Sequence, residues 1–151
     1  MELKLRKAKE NEATFLQNFA KDIINKNYRT FLGDDAVDYF IESGASDEYM
    51  LENINDTIVA LLQDQIVGIC ICKENLIDLI MVHSEMHRQG IGSDFMNRIS
   101  EELLKTYDKI YLESFENNLK ANSFYYKNGW NKDKIIFDEE VGANKIYYSK
   151  Y

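Results

Sequence analysis

Ile77-Asp78-Leu79-Ile80-Met81-Val82-His83-Ser84-Glu85-Met86-His87-Arg88-Gln89-Gly90-Ile91-Gly92-Ser93 is the stretch on which the fold turns. It opens as an apolar run of strand length, passes through a short polar turn and reaches Gly90-Ile91-Gly92. Phe95, Ile99 and Leu103 then recur every four residues, which predicts a helix. Strand, glycine turn and helix in that order make an anion site. The first amides of a helix have no partner inside it, and the dipole makes that end positive. Glycines let backbone approach a phosphate with no β-carbon in the way. The turn is not a dinucleotide fingerprint, because position 95 is Phe95 where a third glycine would be needed. It is not a P-loop, because no Gly-Lys-Ser/Thr follows.

Working outward, the chain of 151 residues suits one domain, 1–151, with a sizeable core. Lys and Arg number 18 against 26 Asp and Glu, a formal charge of -8, and no basic stripe is visible. Nucleic-acid binding is therefore not expected. The densest apolar run, Ile66 to Cys72, is strand-sized, so no membrane span is expected. The first residues mix Glu2, Lys4, Arg6 and Lys7 with single apolar positions and form no signal-peptide core. Cys70 and Cys72 lie too close on one strand for an ordinary disulfide, which points to a reducing cytoplasm.

Leu3, Leu5 and Arg6 predict a first strand. Asn11 is the expected N-cap of a helix carrying Leu16, Phe19, Ala20, Ile23 and Ile24 on one face. A second helix holds Val37, Phe40 and Ile41 and stops at Gly44. The pattern around Met50, Leu51 and Ile54 reads either way. Thr57 to Leu62 and Ile66 to Cys72 form a hairpin turning at Asp64-Gln65, and Lys73-Glu74-Asn75 makes the next turn. Lys109 to Phe115 is a strand, Asn117-Asn118 opens a helix that Gly129 caps, and Ile135 to Phe137 and Lys145 to Tyr148 close the chain as strands. The order is β-α-α-β-β-β-α-β-α-β-β. It describes an α/β protein with a mixed, mostly antiparallel central sheet flanked by helices.

A second informative stretch is Asn118-Leu119-Lys120-Ala121-Asn122-Ser123-Phe124-Tyr125-Tyr126-Lys127-Asn128-Gly129-Trp130. By itself it reads as an amphipathic helix with Ala121, Phe124 and Tyr125 inward. Together the two stretches resemble the GNAT-type N-acetyltransferases. Val82-x-x-x-x-His87-Arg88-Gln89-Gly90-Ile91-Gly92 is similar to that family's acetyl-CoA pyrophosphate loop, Q/R-x-x-G-x-G/A. Asn-x-x-Ala followed by Phe-Tyr-x-Lys-x-Gly-aromatic is similar to its fourth helix. One departure stands out: the family's Gln or Arg three positions before the first glycine is His87 here, with Arg88 next to it.

The resemblance implies a GNAT fold and acetyl transfer from acetyl-CoA to a primary amine, with no metal. It implies pyrophosphate on the amides of Arg88, Gln89, Gly90, Ile91, Gly92 and Ser93. It puts the pantetheine arm along Ile80, Met81 and Val82, with Asn118 either bonding the arm or capping its own helix. Val82 N–H would face the developing oxygen charge, and Tyr125 matches the general acid. The amine's proton would pass to Glu113, Asp78 or a water chain. The implied partner is a small-molecule amine, with a homodimer left open. Protein N-terminal or lysine acetylation and a non-catalytic CoA-binding domain are the alternatives. The acidic run of Asp34, Asp35, Asp38, Glu42, Asp47, Glu48 and Glu52 reads as a rim attracting cationic amines or as a solvated face. Cys70, Cys72, His83 and His87 form the nearest approach to a zinc set, on chance spacing.

Overall fold

The structure, a computed structural model, describes residues 2–83 and 90–151. Its strands are β1 (Leu3–Lys7), β2 (Thr57–Leu62), β3 (Gln65–Lys73), β4 (Leu76–Val82), β5 (Ile110–Phe115), β6 (Asn131–Asp138) and β7 (Ala143–Lys150). Its helices are α1 (Ala13–Asn27), α2 (Arg29–Leu32), α3 (Asp34–Glu42), α4 (Ala45–Glu52), α5 (Ile91–Leu104) and α6 (Leu119–Lys127). The strands form one sheet in the order β1-β2-β3-β4-β5-β7-β6, antiparallel throughout except between β4 and β5. This is the expected mixed, mostly antiparallel sheet flanked by helices.

Two cores lie on opposite faces. On one, Phe95, Met96 and Ile99 of α5 pack on Ala60, Cys70, Ile77 and Leu112, with Phe124 and Tyr125 of α6 beside them. On the other, Leu16, Phe19, Ala20, Ile23 and Ile24 of α1 pack with Val37 and Met50 on Val59, Ile69 and Ile71. The spacing of those α1 residues is what makes the helix bury one stripe. Among the described residues no helix is long and apolar enough to cross a membrane.

Three local expectations change. α1 begins at Ala13, not after an Asn11 cap, because residues 10–12 form a 3-10 turn. There the Glu12 carboxylate takes two bonds from Arg6, at 2.8 and 2.9 Å, and one from Lys9 N–H at 2.8 Å. The β2–β3 turn sits at Gln63-Asp64, both at positive φ, so that Leu62 pairs directly with Gln65. Two left-handed residues give the turn a twist that matches its strands. The ambiguous segment is helical: α4 runs over residues 45–52, and a one-turn α2 precedes α3. Gly44 does follow α3 in the left-handed conformation.

Candidate active site

β4 and β5 pair over two positions only, Leu76 with Tyr111 and Ile77 with Leu112. Beyond them β4 stays with β3 and β5 stays with β7, and a gap opens. Backbone groups alternate sides along a strand. His83 N–H donates to Val67 C=O at 2.8 Å. By alternation Met81 also faces β3, while Ile80 and Val82 turn their peptide groups toward the gap. The Met81 side chain is buried in the α1 core and secures the strand from behind. Asp78 is an extra residue between the pairs Cys72–Ile77 and Ile71–Leu79, a bulge one position past the last β4–β5 pair.

α5 begins beyond β4. Gly90 caps it at φ 76, and Asp94 N–H makes the first helical bond back to Gly90 at 3.0 Å. The amides of Ile91, Gly92 and Ser93 therefore precede the helix's own hydrogen bonds. A β-carbon on Gly92 would meet the Phe124 ring at 3.4 Å and a Val82 methyl at 4.0 Å. The start of α5, the end of β4 and α6 thus meet at one glycine. His87, Arg88 and Gln89 lie outside the described residues.

Asn118 caps α6, its side-chain oxygen accepting from Ala121 N–H at 3.3 Å. Gly129 follows the helix at φ 82. The Tyr125 ring lies 5.4 Å from that of Tyr148, which is itself fixed by its hydroxyl donating to Asn122 at 2.9 Å. Burial drives the Tyr125 phenol well above its ordinary value, so it stays protonated. Tyr126 is 82% exposed and points away.

On the other face a cleft of about 160 Å³ lies between the diverging strands, lined by Ile77, Asp78, Glu113, Ser114, Phe115 and Lys145. Tyr49 of α4 donates its hydroxyl to Oδ2 of Asp78. Burial, then this bond, holds the Tyr49 phenol far above its usual range. Glu113 sits directly across from Tyr147 on the neighbouring strand, and its charge raises that phenol. Lys145 pairs with Asp138 at 3.1 Å and lies over the Phe115 ring. Tyr125 and Val82 thus belong to the α5–α6 side and the carboxylates to the α1–α4 side, with the gap between them. Tyr49 was not legible as a site residue, because nothing in the sequence ties it to a partner 29 positions away.

The acidic run is half paired. Arg29 bonds Asp34 at 3.1 Å and Asp38 at 2.7 Å, and Lys21 bonds Asp47 at 3.0 Å, while Asp35, Glu42, Glu48 and Glu52 are exposed. Asp38 and Glu42 line a polar groove of about 440 Å³ between α1 and α3, larger than the cleft but outside the gap. Among the described residues no group of three His, Cys, Asp or Glu could hold a metal ion. Cys70 and Cys72 are thiols with sulfurs 3.6 Å apart, and that contact and burial push the Cys70 thiol up.

Residues 53–132, just over half of the chain, match the family model described as an acetyltransferase (GNAT) domain. Among solved structures, the PaiA N-acetyltransferase of Thermoplasma acidophilum with coenzyme A is 18% identical, with 99% of each chain covered and a TM-score of 0.79. YjaB of Escherichia coli is 18% identical over 99% of this chain and 97% of its own, at 0.76. A GNAT-family acetyltransferase of Streptococcus agalactiae is 12% identical over 98% and 94%, at 0.79. At these identities the likeness is one of fold.

Proposed function

The chain belongs to the GNAT acetyltransferase family, and from that membership we propose that residues 1–151 are one acetyl-CoA-dependent N-acetyltransferase domain acting by direct attack of a small molecule's primary amine. The observation that carries the reading is the gap beside β4, with the Ile80 and Val82 peptide groups turned into it.

These residues fit the donor. The pre-helical amides of Ile91, Gly92 and Ser93, with Arg88 and Gln89 next to them in sequence, would hold the pyrophosphate, and Gly90 and Gly92 keep β-carbons out of its approach. Ile80 and Val82 offer strand-edge donors and acceptors to the amide-bearing arm, and Met81 fixes that edge. Asn118 orients α6 by capping it. When bound, acetyl-CoA supplies an activated acetyl thioester. Val82 N–H faces the oxygen that gains charge. Tyr125, kept protonated, gives its proton to the leaving sulfur. Glu113 and Asp78 draw the cationic amine into the cleft, where one of them or a water chain accepts its proton.

Cys70 and Cys72 as thiols fit a reducing cytoplasm. A homodimer would use the outer edge at β6, where Ile135, Ile136 and Phe137 are exposed. The deciding experiment follows free-thiol release from acetyl-CoA with cationic amines, neutral amines and peptides. Turnover of small amines supports the reading, turnover of peptides alone would redirect it to protein acetylation, and CoA binding without turnover would make the domain non-catalytic.

A further inference from the structure

We propose that Cys70 and Cys72 are a redox-active dithiol site: hydrogen peroxide oxidises the Cys72 sulfur, Cys70 resolves it into a disulfide, and the bridge disturbs the strand edge at Ile80 that takes the acetyl-CoA arm. The disulfide stands on the thiol pair alone. Its effect on acetyl-CoA rests on the acetyltransferase reading above.

Only Ile71 separates the two residues on β3, so their side chains share a face of the sheet. That face is the α5–α6 core, which also holds Tyr125. The sulfurs lie 3.6 Å apart, and the pair is lopsided: Cys70 is fully buried, at 0% exposure, whereas Cys72 is half-buried. A small oxidant entering from solvent therefore meets Cys72 first. The bond between the thiols, with Cys70 donating, holds Cys72 below its ordinary value against burial and the charge of Asp56. The thiolate is the nucleophilic form of a cysteine. Cys70 stays a thiol directly behind it.

Across the ladder Cys70 faces Ile80 and Cys72 faces Ile77, and the extra residue Asp78 falls between them. A bulge bends a ladder where it occurs. Residues two apart on a regular strand have Cα atoms about 6.6 Å apart, at the long end of the roughly 4.4–6.8 Å that a disulfide spans. Closing the bridge therefore shortens β3 between Cys70 and Cys72, and the bulge is where the ladder takes up the change. The pair next to the bulge on that side is Cys70 with Ile80, whose peptide group is turned toward the gap. A bridge of this kind is no ordinary structural disulfide. It is the reducible kind that serves as a transient sensor.

The chemistry balances without a metal. The Cys72 thiolate attacks one peroxide oxygen; the S–O bond forms, the O–O bond breaks, and hydroxide leaves and takes up the proton that Cys72 released. The Cys70 sulfur then attacks the Cys72 sulfur. The S–S bond forms, the S–O bond breaks, and the departing hydroxide takes the Cys70 proton as water. Two thiols are oxidised, one hydrogen peroxide is reduced, and two waters result.

The test treats the reduced full chain with hydrogen peroxide and reads intact mass, free-thiol count and acetyl-CoA titration. Wild type should lose both thiols and the mass of two hydrogens, with no link between chains on a non-reducing gel, and dithiothreitol should restore it. Cys70→Ala should stop at a Cys72 sulfenic acid, one oxygen heavier and trapped by dimedone. Cys72→Ser should keep its buried Cys70 thiol. Oxidised wild type should bind acetyl-CoA about fivefold to tenfold more weakly, the effect of losing about one backbone hydrogen bond, and peroxide-treated Cys72→Ser should bind it as before treatment. Two thiols surviving in wild type, a disulfide between chains, or Cys72→Ser oxidised as fast as wild type overturns the dithiol site. The wild-type arm decides even where a variant fails to fold. Unchanged acetyl-CoA affinity in the oxidised chain overturns the coupling to β4. Failure of the acetyltransferase reading looks different: the reduced chain itself would bind no acetyl-CoA, while the disulfide would still form.

Discussion

The Phe124 ring lies 3.4 Å from where a β-carbon on Gly92 would stand. That contact ties the first turn of α5 to the helix carrying Tyr125. Gly92→Ala just fits, and alanine also favours the helix. Gly92→Val adds two methyls against Phe124 and Val82. It should destabilise the fold by about 1–3 kcal/mol, as overpacking does, and weaken CoA binding. Urea unfolding and CoA titration of both variants check this; equal behaviour of Ala and Val would mean that α6 yields without consequence.

Gly90 is limited by its backbone conformation, since its φ is 76, and among the described residues nothing lies within 4 Å of its missing β-carbon. Gly90→Val should cost about 1–2 kcal/mol in the left-handed region, and Gly90→Asn, which tolerates that region, much less. If the turn holds pyrophosphate, the folded valine variant should also bind CoA more weakly. Unchanged CoA affinity in a folded Gly90→Val protein would remove the turn from the phosphate site.

Tyr125→Phe deletes only a hydroxyl. The ring contacts to Phe124 and Tyr148 remain, so CoA affinity and melting temperature should hold. The single-turnover rate should fall about 10²–10⁴-fold, whereas Tyr126→Phe should change little. A wild-type single-turnover rate in Tyr125→Phe would reassign the acid, with solvent as the first replacement.

Glu12 gives the fold an acid-sensitive anchor. Hydrogen bonds from Arg6 hold its carboxyl down at about 2. A depressed folded-state value means the anchor's stabilisation is complete above the unfolded value, about 4.3, and disappears as pH falls toward 2. Glu12→Gln should therefore melt about 2–4 °C below wild type at neutral pH. The difference should close in acid. A constant gap from pH 7 to pH 2.5 would show that the carboxylate charge is not the cause.

Much of this was readable in advance, for stated reasons. The α1 stripe and the β2–β3 alternation follow from periodicity, and the Asn118 cap and the Gly44 and Gly129 stops follow from local chemistry. The acidic residues 45–52 have weak helical amphipathicity, so α4 was legible only as ambiguity; tertiary packing of Met50 decides it. The helix start moved because a long-range partner, Arg6, holds Glu12. The bulge at Asp78 and its bond to Tyr49 depend on strand register, which one sequence does not specify. The acidic rim was visible as composition, but its pairing with Arg29 and Lys21 was not.

β5 is keyed to β4 by two residue pairs, against six between β3 and β4 and six between β5 and β7. Mechanically the sheet is two stiff plates on a short hinge. Tyr125 rides with the β5–β7 plate through Tyr148, while Asp78, Ile80 and Val82 ride with the β1–β4 plate. The distance between the proposed proton donor and the proposed proton acceptor therefore spans the two-pair junction of β4 and β5. Leu112, at 2% exposure, is the pivot pin, and a change in its volume would retune the reaction from a position that touches none of the reacting atoms.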